Sequence, residues 1–429
     1  MKRTEETITD LDNLLSSGQY DELLEQTNLL LKDNPNDDIL FLFKGNALRH
    51  KGMSAEALQA FAQSILCNPN NALARSSYAS TLYETGDLAN ALNAADAGIL
   101  IDPEFSDPYL VSGDVLMEMG FPEQAVFPYN KAYDIDGDEN LGVLVATLYA
   151  QNNMPEEAMD VFSSLISKNP NNPVLHFRYG TALLYALQNG ASHEMIKEAA
   201  KDWREKYHDK PFVEEFSQQL IDNHVAYNPL NAGSVATLFD TFAESYDGEV
   251  PFEPVVQALK ANIGEQKDLT ILDAGCGTGR YANVLKEFSS SLLGVDVSRK
   301  MLDKAAQKKA YTQLFQADFR DFLSENEGAF DVITALDVLD YTPRLSESFA
   351  SLSSGLREGG MALLTLYRNN INTEGETIYP PFYEIYSEKF VKKAATDAGF
   401  TVKLWQEIPS ESYKNSQVQK IFCVLKKES

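Results

Sequence analysis

Leu269-Thr270-Ile271-Leu272-Asp273-Ala274-Gly275-Cys276-Gly277-Thr278-Gly279-Arg280 is the stretch that decides the fold of the C-terminal half. Its first four residues read as a buried strand, and a glycine-rich turn follows without a linker. A helical pattern opens directly after it at Tyr281, Val284 and Leu285. Strand, glycine turn and helix begin a parallel α/β unit, in which the turn lets the backbone approach a ligand at the crevice of the sheet. The next strand, Leu292-Leu293-Gly294-Val295, ends at Asp296, which lies 23 residues after Asp273. An acid at that place accepts both hydroxyls of a ribose.

The ligand is not a dinucleotide. That pattern needs a third glycine five positions after the first, where Arg280 stands, and there is no Gly-Lys-Ser/Thr for phosphates. A carboxylate at Asp273 would repel a pyrophosphate and suits a ligand carrying an ammonium group. The combination resembles the first motif of the class I S-adenosylmethionine-dependent methyltransferases, and later segments extend the resemblance. Gly294–Leu302 is similar to the ribose-binding strand end, with Met301 near the adenine. Ala317-Asp318-Phe319 is similar to the element whose acid accepts from the adenine amino group. Phe330–Tyr341 is similar to the fourth strand and the loop facing the transferred methyl. Leu238–Asp247 is similar to a helical cap from which Tyr246 reaches the methionine carboxylate.

The resemblance implies an α/β Rossmann-like domain over 231–429, with a seven-stranded sheet whose last strand is antiparallel. Thr401–Ile408 and Lys420–Lys426 would form the closing hairpin, and strand 361–367 would follow a turn at Gly359-Gly360. It implies S-adenosyl-L-methionine as cofactor, held by Tyr246, Asp273, Ala274, Gly275, Gly277, Asp296, Val297, Met301, Asp318, Phe319 and Leu336. Asp331, an acid at the start of a strand, reads as a solvated edge.

Methyl transfer is an in-line displacement from a sulfonium, so proximity and alignment are the main needs, and a base is required only if the acceptor loses a proton. The five histidines all lie at or before His224, so the domain contains none. Asp337 and Tyr341 are the catalytic candidates, with Asp340 beside them; Tyr341 serves equally well as part of a lid. An imidazole base would come from His224 or the repeats. Residues 367–386, rich in Tyr, Pro and Phe, fall where the family shapes its acceptor pocket, which favours an organic acceptor with apolar or ring character.

The N-terminal half repeats. Pro35, Pro69 and Pro103 are 34 apart, Gly137 falls 34 after Pro103, and Pro170 follows 33 later. Small residues (Gly45, Ala79, Gly113, Ala146) keep phase, and so do turn residues (Gly52, Gly86, Gly120, Asn153). The first set lets paired helices approach closely; the second supplies a permissive turn. This pattern resembles the tetratricopeptide repeat and implies an all-α solenoid of five to six repeats over 4–190. Residues 191–230 read as a helical connector, with Trp203, Phe212, Phe216 and Leu220 as core and a hinge at Asn228–Gly233. The pairing of the two parts resembles a bacterial group of predicted methyltransferases carrying such repeats, a resemblance that brings no substrate.

Grooves in such repeats bind peptides. Here the groove positions carry Leu42, Asn46 and Arg49, then Ser76, Ser80 and Tyr83, then Leu110, Asp114 and Met117, then Val143, Thr147 and Ala150. One Arg is too few for a carboxylate clamp, so a protein or peptide partner should be basic or apolar. Packing of the array on its own C-terminal domain, or on a second copy, is the alternative.

The 429 residues carry 36 basic and 63 acidic groups, a formal charge of −27, which argues against DNA and anionic membrane as partners. Residues 1–190 hold 27 of the acids and only 10 of the bases. Three scattered cysteines exclude a disulfide framework and a metal-ligand spacing. An acidic start and no long apolar run point to a cytoplasmic protein without a membrane span. The expected function is methyl transfer from the cofactor to a small organic molecule or a protein, with the repeats recruiting or docking a partner. The alternative is a cofactor-binding scaffold with little turnover.

Overall fold

A computed structural model describes residues 4–223, 231–243, 251–342, 344–369, 376–379, 383–409 and 418–428. The chain forms two compact units, Met1–Leu148 and Tyr149–Ser429.

The first unit is built of helical hairpins. Glu5–Ser16 pairs with Tyr20–Asp33, Asp38–His50 with Ser54–Cys67, Ala72–Glu84 with Leu88–Ile101, and Asp107–Glu118 with Pro122–Asp136. Two sequence features explain them. A Cβ at Gly45 or Gly113 would stand 2.5 Å from the ring of Phe61 or Tyr129, so only glycine admits the partner helix's aromatic side chain. Gly52, Gly86 and Gly120 turn between helices with φ of 74°, 80° and 82°, which an L side chain adopts at a cost. Five of the groove positions (Leu42, Ser76, Val143, Thr147 and Ala150) are buried, so this face is less open than its spacing implies. Arg49 is bound by Glu84 of the next hairpin through contacts of 3.0 and 2.6 Å, which neutralises the groove's one arginine.

The compact division falls at Leu148/Tyr149. The helices Pro155–Lys168, Pro173–Gln188, His193–Tyr207 and Val213–Ile221 all belong to the second unit. The reason is the helix Pro173–Gln188, buried around most of its circumference. Phe216 covers Gly180 and packs with Phe177, while the same helix also meets residues of the α/β part. Trp203, Phe212, Phe216 and Leu220 are core, as their spacing predicts. His224 and residues 228–230 of the expected hinge lie outside the described residues.

The sheet contains nine strands among the described residues: β1 (Leu269–Ala274), β2 (Ser289–Asp296), β3 (Gln313–Gln316), β4 (Phe330–Ala335), β5 (Leu356–Asn369), β6 (Glu376–Tyr379), β7 (Tyr383–Tyr386), β8 (Phe400–Ile408) and β9 (Val418–Lys427). Strands β3-β2-β1-β4-β5 are parallel; β9 runs antiparallel beside β5 and pairs with β8. That is the expected seven-stranded Rossmann-like sheet. The hairpin β6–β7 adds to it: β9 occupies one edge of β5 as far as Asn369, so Arg368↔Tyr386 uses the other edge, past the end of β4. Strand β5 starts before the expected turn and runs through Gly359 (φ 72°) and Gly360, with a register shift against β4. The two glycines make a bulge instead of a turn.

Both faces of the sheet are covered, which explains the continuous apolar strands. Leu272, Ile333 and Leu364 enter one core layer; Ile271, Val332 and Leu363 enter the other. Asp331 ties three strands, its Oδ2 accepting from Thr270 N at 2.8 Å and its Oδ1 from Arg357 at 2.6 Å. It is a structural pin.

Candidate active site

Strand order reverses between β1 and β4, and the crevice there opens at the strands' C-terminal ends, the usual ligand position in such sheets. The cleft has a volume of about 970 Å³, mouth included, and lies within the second unit.

The glycine turn after β1 forms one wall. Its first amides, Gly275 N and Cys276 N, donate to Val295 O of β2 at 2.7 and 3.0 Å. Gly275 and Gly277 take φ of 66° and 53°. A Cβ at Gly275 would collide with Val338, whereas nothing lies within 4 Å of one at Gly277, where the backbone faces open space. Thr278 Oγ1 is buried beside the cleft and has no hydrogen-bond partner among the described residues.

Asp296 ends β2 facing the turn. Gly277 N donates to its Oδ2 and Ser298 N to its Oδ1, both at 2.8 Å. Burial pushes its carboxyl up to about 6 against those two bonds, with Asp240 adding to the rise. Each oxygen keeps lone-pair capacity for a ribose hydroxyl.

Asp273 is more enclosed than its spacing implies. Tyr311 Oη donates to Oδ2 at 2.7 Å and Thr334 Oγ1 to Oδ1 at 2.8 Å. Burial pushes it, too, up to about 6. It anchors the turn to β3 and β4 while placing an acid at the cleft wall. Asp318 caps the helix Phe319–Ser324 and is held bidentately by Arg320, at 3.0 and 2.6 Å, so it reaches the cleft as half of an ion pair.

Val297, Met301, Phe319 and Leu336 line the same cleft as Asp273, Gly275, Gly277, Asp296 and Asp318. Ala274 does not: it ends β1 with its side chain in the core. Tyr246 lies outside the described residues. The helix Ala232–Phe242 borders the cleft through Val235 and Phe239. Asp240 Oδ1 fixes it, accepting from Ser298 Oγ at 2.6 Å and Lys300 N at 3.1 Å.

Asp337 and Tyr341 follow β4 and also line the cleft. Tyr341 meets the Phe239 ring edge to face at 4.9 Å, so it supports the cap helix as well as bounding the space. Asp340 is fully buried behind them. Of the aromatic segment, Tyr367 and Tyr386 are core and Tyr386 Oη donates to Leu339 O; the side chains of Tyr379 and Tyr383, and residues 380–382 entirely, lie outside the described residues. Spacing missed Tyr311, Arg320, Asp240 and Lys420. Thr278 was legible as part of the glycine turn and Arg320 lies two residues from Asp318; Tyr311, Asp240 and Lys420 reach the site only through tertiary contacts.

The residues fit an adenosyl sulfonium ligand: the Asp296 carboxylate for the ribose, an open backbone at Gly277, an unpartnered hydroxyl at Thr278 and apolar walls for the base. No group of three metal-ligating side chains occurs among the described residues. Fold and cleft are those of a Rossmann-like α/β domain whose described lining suits S-adenosylmethionine. Residues 245–404 match the family model described as a methyltransferase domain. The chain is similar to a malonyl-[acyl-carrier protein] O-methyltransferase of Pseudescherichia vulneris, with 27% identity over 32% of this chain and 54% of the relative. It is also similar to the 18S rRNA (guanine-N(7))-methyltransferase of Bos taurus, with 29% identity over 25% of this chain and 42% of the relative. Among solved structures, the 1,6-didemethyltoxoflavin-N1-methyltransferase of Burkholderia thailandensis superposes with a TM-score of 0.37 at 18% identity, over 47% of this chain and 93% of that one. The chain spans about half the length of the curated relatives it matches.

Proposed function

We propose that the chain transfers a methyl group from S-adenosylmethionine to a small organic molecule or a protein. The observation that carries this reading is the wiring of Asp296 to Gly277 across one cleft, which offers a diol acceptor and an exposed backbone turn together. Asp296 would hold the ribose, Met301, Phe319 and Leu336 the base, and Asp318, paired to Arg320, its amino edge. Gly275, Gly277 and Thr278 would border the methionine part, and Asp273 holds the turn in place. The cofactor supplies an electrophilic methyl, whose bond to sulfur breaks with the electron pair left on sulfur.

The cap helix Ala232–Phe242 and Tyr341 would bound this space on the solvent side. An RNA acceptor, as named for the bovine relative, is disfavoured by the charge of −27. The first unit would recruit a basic or apolar protein segment through its repeats, consistent with its acidity and with Arg49 being committed to Glu84. Three free cysteines suit a reducing cytoplasm. No described helix is long and apolar enough to cross a membrane.

Calorimetry with S-adenosylhomocysteine tests the cofactor reading, and absence of heat at high protein concentration sinks it. Incubating cell extract with methyl-labelled cofactor and wild type or Asp296→Ala then separates protein from small-molecule acceptors. Label that does not depend on Asp296 refutes the assignment of the site.

A further inference from the structure

Behind the cleft lies a buried charge cluster that the cofactor reading does not use. Lys420, on β9, is only 2% exposed, and its Nζ stands 2.7 Å from Asp337 Oδ1. Thr365, on β5, completes the grip: its hydroxyl accepts from Asp337 N at 2.7 Å and donates to the same Oδ1 at 2.9 Å. Asp337 itself takes a φ of 59°, a left-handed conformation uncommon outside glycine. Such a strained position persists only where the surroundings over-determine it, which Lys420 and Thr365 do here. Asp337 Oδ2 has no partner among the described residues, and the residue lines the cleft.

The neighbours make this arrangement one-sided. Asp340 is fully buried, accepts from Tyr367 N at 3.2 Å through Oδ1, and has no partner at Oδ2 among the described residues. Burial, then the charge of Asp337, pushes its carboxyl well above the ordinary range. The rings of Phe252 and Tyr367 each lie 5.8 Å from Lys420 Nζ and close the pocket around it. The cation is paired with Asp337 and is not among the residues that line the cleft. Around the cleft, four carboxylates (Asp273, Asp296, Asp318, Asp337) meet two guanidiniums (Arg280, Arg320), and Arg320 is committed to Asp318.

We propose that Lys420 and Thr365 lock Asp337 so that its Oδ2 receives the N–H or O–H of the methyl acceptor, which makes the acceptor an amine or hydroxyl compound and not a carboxylate. This rests on the methyltransferase reading. The acceptor's nitrogen or oxygen lone pair forms the new bond to carbon, and the proton left on that atom passes to Oδ2. A carboxylate acceptor brings no proton to donate and meets a wall of its own sign, which repels it. Lys420 is a positioning residue, acting through Asp337.

Two readouts test this without knowing the acceptor. The first compares binding of S-adenosylhomocysteine and sinefungin, a cofactor analogue whose primary ammonium replaces the transferable methyl. Wild type should prefer sinefungin; Asp337→Asn should reduce that preference at least tenfold with S-adenosylhomocysteine affinity little changed. Thr365→Val and Lys420→Met should reduce it as well. An unchanged preference in folded Asp337→Asn overturns the proposal. Failure of wild type to bind S-adenosylhomocysteine instead overturns the cofactor reading. The second readout treats methyl-labelled products from cell extract with mild alkali. Alkali-stable label is expected, and release of labelled methanol, the mark of a carboxyl ester, refutes the acceptor class.

Discussion

Asp296 sets a measurable pH limit on cofactor binding. Its carboxyl lies at about 6 because burial penalises the charge more than the amides of Ser298 and Gly277 stabilise it. Ribose hydroxyls donate to the ionised form, whereas the protonated form presents an O–H in need of an acceptor. With a value near 6, about nine-tenths of the molecules are ionised at pH 7 and about one-tenth at pH 5, so affinity should fall about tenfold, or about 1.4 kcal/mol. Asp273 also lies at about 6 and titrates in the same window, so the observed fall should be steeper than one proton alone produces. Both values are raised, and the sign for the empty protein is therefore opposite. These two groups contribute stability below about pH 3.8 that is lost as pH rises through 6. Acid should thus weaken the complex while relieving the empty site. Asp296→Asn supplies the control. An amide cannot accept from both Gly277 N and Ser298 N while serving the diol, and losing one bond to a charged acceptor costs about 1.5–3 kcal/mol, or about 10- to 150-fold. Calorimetry with S-adenosylhomocysteine from about pH 5 to 7 reads both effects. A flat wild-type profile, or wild-type affinity in Asp296→Asn, would refute the reasoning.

Gly113→Ala should destabilise the first unit by about 1–3 kcal/mol in urea denaturation, because the added Cβ meets the Tyr129 ring at 2.5 Å. Gly86→Ala, with open space around it and φ 80°, should cost only the backbone conformation, about 1–2 kcal/mol. Arg49→Ala removes a partly exposed ion pair and should cost about 0–1 kcal/mol, so any larger loss of partner binding would identify a contact residue. His176 accepts from Trp203 Nε1 at 3.0 Å through Nδ1 and donates from Nε2 to Pro170 O at 2.8 Å, a neutral tautomer whose affinity for a second proton burial lowers. Its contribution is present above the ordinary histidine value of about 6.5 and is lost as pH falls, so the denaturation midpoint should drop under acid and His176→Phe should flatten that dependence.

Much of this fold is written locally. Gly45, Gly52, Gly86, Gly113 and Gly120 mark hairpins because close helix approach and a left-handed turn each demand a residue without a side chain, whatever lies elsewhere in the chain. The same holds for Leu269–Gly279 followed by Asp296, where strand, turn and acid lie within thirty residues and the parallel sheet is the arrangement that covers them. What tertiary structure alone decided is where distant chain segments meet. Asp273 reads as a ligand for an ammonium group, and only the fold shows that Tyr311 and Thr334, from distant segments, each donate to one of its oxygens. Gly359-Gly360 reads as a turn until pairing with β4 makes it a bulge. The helix Pro173–Gln188 keeps the phase of the repeats, and only the fold shows that Phe212, Phe216 and elements of the α/β part bury it. Asp337 was visible after the fourth strand, but Lys420 reaches it from β9, more than eighty residues away. Periodicity records which face of an element is apolar, and short motifs record what one turn of backbone can bind; neither carries the long-range pairing that sets the charge beside a carboxylate.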